Sequence, residues 1–214
     1  MNYEETYNIE KYQKEFNKIN FNEYKLVKTK EMPYIKKIDY EHKTDPRYTL
    51  IEIKFRVSNI RRINLYFNNE KHSDNGPAMF ELRCDELTGI EYWTNGKLYN
   101  PIINEPSEIE FNNLNKLKLL RFTNKNGQIN NIDAPAELYF YDGSRNEYYF
   151  INGFHYNKEK YYNLINKVKN QKIHCNKYKK ENLIIIREIA EHYQMKELLN
   201  KIDNRLLIEF LTEK

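Results

Sequence analysis

Three short stretches, Gly76-Pro77-Ala78, Glu105-Pro106-Ser107 and Ala134-Pro135-Ala136, have their prolines 29 residues apart and set the reading of the chain around them. After each proline the third and fifth residues are apolar: Phe80 and Leu82, Ile109 and Phe111, Leu138 and Phe140. Glu81 and Glu110 stand between them in the first two. Alternation with period two is the pattern of a half-buried strand, one face on a core and the other in water. A proline just before such a strand costs no ladder hydrogen bond, because its missing N–H falls outside the paired residues.

A second marker keeps nearly the same period: an aromatic residue followed two places later by asparagine. It occurs as Phe67-Asn68-Asn69, Trp93-Thr94-Asn95, Phe122-Thr123-Asn124 and Phe150-Ile151-Asn152. Asn95-Gly96 and Asn152-Gly153 tolerate positive φ at both central positions of a type I′ turn, and Asp142-Gly143 does the same inside the last unit. Each unit therefore reads as strand, turn, strand, turn, running from about Leu65 to Asn157. Units of this size bury an apolar face only by stacking on their neighbours.

The string His72-Ser73-Asp74-Asn75-Gly76-Pro77-Ala78, followed by Glu91-Tyr92-Trp93-Thr94-Asn95-Gly96-Lys97-Leu98-Tyr99, resembles MORN-like repeats that carry a Gly-Pro-Ala signature. Such repeats occur in proteins of giant DNA viruses and of some phages. Asp133-Ala134-Pro135-Ala136 through Asn152-Gly153-Phe154-His155 is similar to the same pattern. The middle unit departs from it, with Glu105-Pro106-Ser107 in place of Gly-Pro-Ala and Lys125-Asn126-Gly127 displacing the turn glycine. The resemblance implies stacked β-hairpins used for interaction, with no shared catalytic residue.

Outward from the units, Tyr7 to Ile19 places Tyr7, Ile9, Tyr12 and Phe16 among Glu and Lys, an amphipathic helix expected to cap a sheet end. Leu50 to Val57 alternates and is expected to be a strand entering the array. After Asn157 the spacing turns helical. Tyr161, Leu164, Ile165 and Val168 form one face; Leu183, Ile186, Ile189, Ala190 and Tyr193 form a second, extended by Leu198, Leu199 and Ile202. Ile186 to Leu199 is similar to the closing helices of BTB/POZ domains, a likeness shared by amphipathic helices in general. The expected fold class is α+β: an antiparallel β-meander of repeated, MORN-like hairpins with an N-terminal helix and a C-terminal helical segment. The expected division is residues 1–47 as a helical or irregular cap, 48–157 as the hairpin units and 158–214 as the helical segment.

Composition fits a chain that folds. Of 214 residues 40% are hydrophobic and 14% aromatic, against 31% charged, so a core can form despite a mean hydropathy of -0.92. No run of eighteen apolar residues exists, and Met1 to Glu5 carries acids without an apolar stretch, which points away from a membrane span or a secretory leader. Cys84 and Cys175 are too far apart for a zinc pair or a disulfide framework and read as small buried or half-buried residues of a reducing compartment. The excess of Lys over Arg, with abundant Asn, Ile and Tyr, is what AT-rich codons encode. The expectation is an intracellular protein of a large DNA virus, in the host cytoplasm or on the virion.

A net charge of +4 is too mild to define a partner. Two readings remain. In the first, the chain is a non-enzymatic interaction or scaffold module with a protein partner, its contact surface formed by the solvent-facing positions Glu81, Arg83, Glu91, Glu108, Glu110 and Glu137 together with Tyr99 and Tyr139. In the second, it binds nucleic acid through Lys158, Lys160, Lys167, Lys169, Lys172, Lys177, Lys179 and Lys180, where Tyr161, Tyr162, His174 and Tyr178 are interleaved. The absence of arginine there, and the lysine-rich character of the whole chain, favour a solvated face. A free sheet edge would allow a homo-oligomer.

Histidines 72 and 155 each follow an asparagine by three residues, which suggests a turn-stabilising role, and His42, His174 and His192 lack metal-ligand spacing. The sequence contains no G-x-S-x-G, no G-x-x-x-x-G-K-[ST] and no G-x-G-x-x-G. The expectation is therefore no catalytic residue, no metal site, no cofactor and no membrane.

Overall fold

The computed structural model describes residues 3–74, 76–102, 104–141, 143–170, 173–175 and 178–212. The chain forms two compact units, Met1–Gly127 with Leu138–Asn146 and Gln128–Glu137 with Glu147–Lys214. The secondary structure is mostly antiparallel β-sheet with helices near both ends, an α+β chain.

The first unit opens with helices α1 (Tyr3–Thr6) and α2 (Ile9–Asn17). Strands β1 (Tyr24–Glu31), β2 (Ile35–His42), β3 (Tyr48–Phe55) and β4 (Ile60–Phe67) follow. The short β5 (Glu70–Lys71) turns back to pair antiparallel with the end of β4, and β6 (Met79–Arg83), β7 (Glu86–Glu91), β10 (Glu108–Phe111) and β11 (Leu117–Arg121) continue an open antiparallel sheet in the order β1-β2-β3-β4-β6-β7-β10-β11. A separate small hairpin joins β8 (Trp93–Thr94) to β9 (Lys97–Leu98). Asn95 and Gly96 both have positive φ there, the I′ geometry expected of Asn-Gly.

Alternation decides the core. Phe80, Leu82, Ile109, Phe111 and Leu138 are buried, with Phe140 packed beside them. The residue after each proline, Ala78, Ser107 or Ala136, is fully buried, and its N–H donates at 2.8 Å to the carbonyl of Glu91, Arg121 or Tyr148 respectively. Close packing around a fully buried position that bonds to the neighbouring strand suits a small side chain.

Helix α2 starts at Asn8, whose side chain accepts the Lys11 N–H. It does not cap a sheet end. It lies across the sheet face, where Tyr12 is buried with its ring tilted against Phe111 and Phe16 packs on Phe80. Residues 1–47 also hold more than a cap, because β1 and β2 pair over nearly their whole length. Cys84 is neither buried nor in a strand: Cys84 and Asp85 take positive φ as the two-residue turn between β6 and β7, and the thiol is exposed.

In the second unit a hairpin of Glu147–Ile151, the end of β13 (Ser144–Ile151), with β14 (Phe154–Tyr156) turns at Asn152-Gly153, both with positive φ. Helices α3 (Lys158–Lys169), α4 (Lys180–His192) and α5 (Lys196–Thr212) follow. Tyr161, Ile165 and Val168 of α3 and Leu183, Ile186, Ile189 and Ala190 of α4 meet Tyr149, Ile151 and Ile132 in one core, as the helical spacing predicts. The Tyr161 hydroxyl donates to the carbonyls of Asn131 and Ala134, which ties α3 to that loop.

Candidate functional site

The face of the sheet opposite α2 carries most of the expected contact residues, and the ladder register decides their state. Glu81 on β6 stands across from Arg62 on β4 and accepts its Nε–H at 2.7 Å. Glu110 on β10 receives Lys118 at 2.7 Å, which holds that ammonium pKa above its usual value. Glu108 is paired with Arg121. Glu91 takes Lys71 at 3.2 Å and the Trp93 indole N–H at 2.5 Å, while Lys71 sits 4.4 Å from the centre of the Trp93 ring. These acids are half-buried and internally paired, so they form a cross-strand charge ladder. Opposite-charge pairs across neighbouring strands contribute roughly 0.2–1 kcal/mol each and favour the register that brings them together.

The other expected positions divide. Arg83 is exposed beside the β6–β7 turn, Tyr99 is half-buried, and Tyr139 stacks on Tyr141 with ring centres 6.4 Å apart. Glu137 is not solvent-facing: only 7% of it is exposed, at the start of β12 (Glu137–Tyr141).

Sequence patterns alone did not reveal a row of apolar tips. Since consecutive strands are antiparallel, the β1–β2, β3–β4 and β10–β11 turns emerge at the same end of the sheet. They present Tyr34, Val57 and Leu114, which are 71%, 82% and 75% exposed. The Tyr34 and Val57 turns are two strands apart, about 10 Å, and the Val57 and Leu114 turns are four strands apart, about 20 Å, with the Cys84-Asp85 turn of β6–β7 between them. Asn112 shapes the third tip, its Oδ1 accepting the N–H groups of Leu114 and Lys116. An apolar residue in an Asn-rich loop was the available sequence signal, and it is weak without the topology.

At the opposite end, His72 and Asp74 hold the loop before Pro77. His72 Nδ1 accepts the Asn95 N–H at 3.1 Å, so this histidine stabilises the next turn. Asp74 contacts His72 Nε2 at 2.8 Å and accepts from the Tyr48 hydroxyl at 2.9 Å, which together hold its carboxyl pKa below the usual value. A groove of about 460 Å³ adjoins this loop, lined by Lys11, Glu15, Asp74, Tyr92, Trp93 and Glu105 among others. His155, in contrast, is exposed and makes ring contacts with Tyr148 and Phe150.

In the second unit the lysines expected to meet nucleic acid lie mainly outward. Lys160, Lys167 and Lys179 are exposed and Lys180 is half-buried, while Lys172 and Lys177 lie outside the described residues. Lys158 pairs with Glu147 at 3.1 Å. Lys169 sits over the Tyr193 ring at 4.3 Å and 4.0 Å from Asp133. Tyr161 is fully buried and cannot stack on a base. Asp133 accepts from Tyr193 at 2.6 Å and contacts His192 at 2.7 Å; burial opposes ionisation, yet these contacts and Lys169 keep its carboxyl pKa low.

Among the described residues no group of three or more His, Cys, Asp or Glu converges as a metal set, and no helix is long and apolar enough to cross a membrane. Comparison of the chain with protein-family models, with curated proteins and with solved structures gives no match.

Proposed function

We propose that the chain is a protein-interaction module built from MORN-like repeated hairpins and that it docks a partner protein through the apolar hairpin tips. The observation that carries this is the row of Tyr34, Val57 and Leu114 at one end of the sheet. Large apolar side chains held outward by tight turns on a rigid sheet mark a contact surface more than scattered exposure does. The shared hydrogen bond at Ala78, Ser107 and Ala136 supports the repeated-hairpin description. On this reading the paired acids Glu81, Glu108 and Glu110 steer register within the scaffold, and Arg83, Tyr139 and Tyr141 border the contact area.

The test is capture of a partner by the tagged chain, with and without nuclease, beside a Tyr34→Ser/Val57→Ser/Leu114→Ser variant. A stoichiometric protein that survives nuclease and is lost with the variant supports the module. Recovery that vanishes with nuclease and is indifferent to the tips moves the function to the lysines of α3 and its following loop.

A further inference from the structure

Strand β1 is the free edge of the first unit's sheet: it pairs only with β2, and residues 25–31 are all exposed, so nothing among the described residues covers it. The exchanged hydrogen bonds between Met32 and Ile35 fix which backbone groups are spent. In an antiparallel ladder bonded and non-bonded pairs alternate, so Lys30 opposite Lys37 and Lys28 opposite Asp39 bond to β2, while Thr29 and Glu31 aim N–H and C=O outward.

A bulge between Leu26 and Lys28 sets the side chains. Without it Lys25 and Lys28 would fall on opposite faces. With it, Lys25, Lys28 and Lys30 stand opposite Glu41, Asp39 and Lys37, all on the face away from α2, while Leu26 and Thr29 stand opposite Tyr40 and Ile38 on the covered face. Lys25 pairs with Glu41 at 2.9 Å and Glu31 is taken by Lys36 and Arg56, whereas Lys28 and Lys30 have no ion pair among the described residues. Leu26 and Val27 are 62% and 60% exposed.

From this placement we propose that the β1 edge takes an extended, acidic segment of a partner protein as an added strand. This rests on the reading of the chain as an interaction module and names a second surface of it. The outward N–H and C=O of Thr29 and Glu31 supply main-chain pairing, and the lysine row supplies the selection. The same row rejects a second copy of β1, because self-pairing would set three lysines against three lysines. An acidic strand turns that repulsion into attraction, with Leu26 available to its apolar side chains.

The probe is a fluorescent ten-residue peptide alternating Glu with Val, titrated against the full chain and read by anisotropy, beside the same peptide with Lys for Glu and a ten-nucleotide oligo(dT). The Glu peptide should bind and weaken with salt, and the Lys peptide should not. Lys28→Glu/Lys30→Glu should cost about tenfold or more. Thr29→Pro removes an outward donor without touching the ladder to β2 and should cost a similar factor; amide exchange on the unaltered chain should show Thr29 and Glu31 protected by the Glu peptide. Unprotected amides, full binding by Thr29→Pro, equal binding of the Lys peptide, or tighter binding of oligo(dT) at the same lysines would each overturn the proposal. If β1 variants still capture the nuclease-resistant partner while no peptide binds, the module stands and this surface does not.

Discussion

Asn100 and Asn131 hold their loops with the same pair of hydrogen bonds. Each Oδ1 accepts the N–H two residues ahead, from Ile102 at 3.0 Å and Asp133 at 3.3 Å, and each Nδ2 donates to the carbonyl of a buried proline, Pro106 at 3.0 Å and Pro135 at 3.2 Å. Asn100 is itself buried. Asn100→Ala should therefore lower unfolding free energy by about 1–3 kcal/mol, the cost of a buried carbonyl left without its donor. Asn131→Ala should cost less, because Asn131 is half-buried. Urea midpoints of the two variants check the order.

The residues after the prolines give a second test. Ala78 and Ala136 are fully buried against backbone they bond to. Enlarging either to Leu should destabilise by about 1–3 kcal/mol through overpacking. Ser107→Ala, which loses the Oγ donation to the Arg121 carbonyl, should cost about 1 kcal/mol. A Leu at 78 that leaves the urea midpoint unchanged would contradict the packing described.

Glu52 is almost wholly buried on the helix-covered face, bonded to Arg61 and, at 3.3 Å, to the Tyr40 hydroxyl, with Lys54 at 3.4 Å. Arg61→Leu should cost about 3 kcal/mol because it leaves a buried carboxylate with only the more distant Tyr40 hydroxyl and Lys54. Replacing both Glu52 and Arg61 by Leu should cost well under the sum of the single changes, since no buried carboxylate is then left without its guanidinium and the half-exposed Lys54 ammonium is solvated. A double-mutant cycle in denaturant measures the difference.

Acid should weaken the fold partly through Asp74. Its pKa is depressed in the folded state by His72 and Tyr48, so its contribution is present above the ordinary aspartate value of about 4 and is lost as pH falls through the lower, folded one. Asp74→Asn should flatten the dependence of the urea midpoint on pH below about 4 relative to the unaltered chain, while leaving other lowered acids such as Asp45 and Asp133 to titrate in both. Parallel curves for the two proteins would show that Asp74 has no part in acid lability.

What could be seen in the sequence was periodic. The proline spacing, the apolar residues three and five places on, the Asn-Gly turns and the helical faces after Asn157 all recur in the structure, because each depends on residues near in sequence. What escaped depends on partners far along the chain. Strand β1 shows no alternation since it is exposed on both faces, and its bulge is visible only in register with β2. Cys84-Asp85 makes a tight turn without the usual glycine. The pairing of Glu81, Glu108 and Glu110 required cross-strand neighbours, and the tips of Tyr34, Val57 and Leu114 become a set only once strands from distant segments lie side by side.

The compact units are interleaved along the polypeptide: residues 128–137 leave the first for the second, 138–146 return, and the chain then departs again at Glu147. No single peptide cleavage can therefore release either body whole. Cutting at residue 157, where the apolar spacing turns helical, would strip Tyr149 and Ile151 of the helices that bury them and leave the helices without their sheet residues. Ribosomal emergence imposes the same constraint in time, since the first body stays incomplete until Asn146 has been made, nineteen residues beyond Gly127. The two bodies should thus be inherited, truncated and recombined as one indivisible cassette.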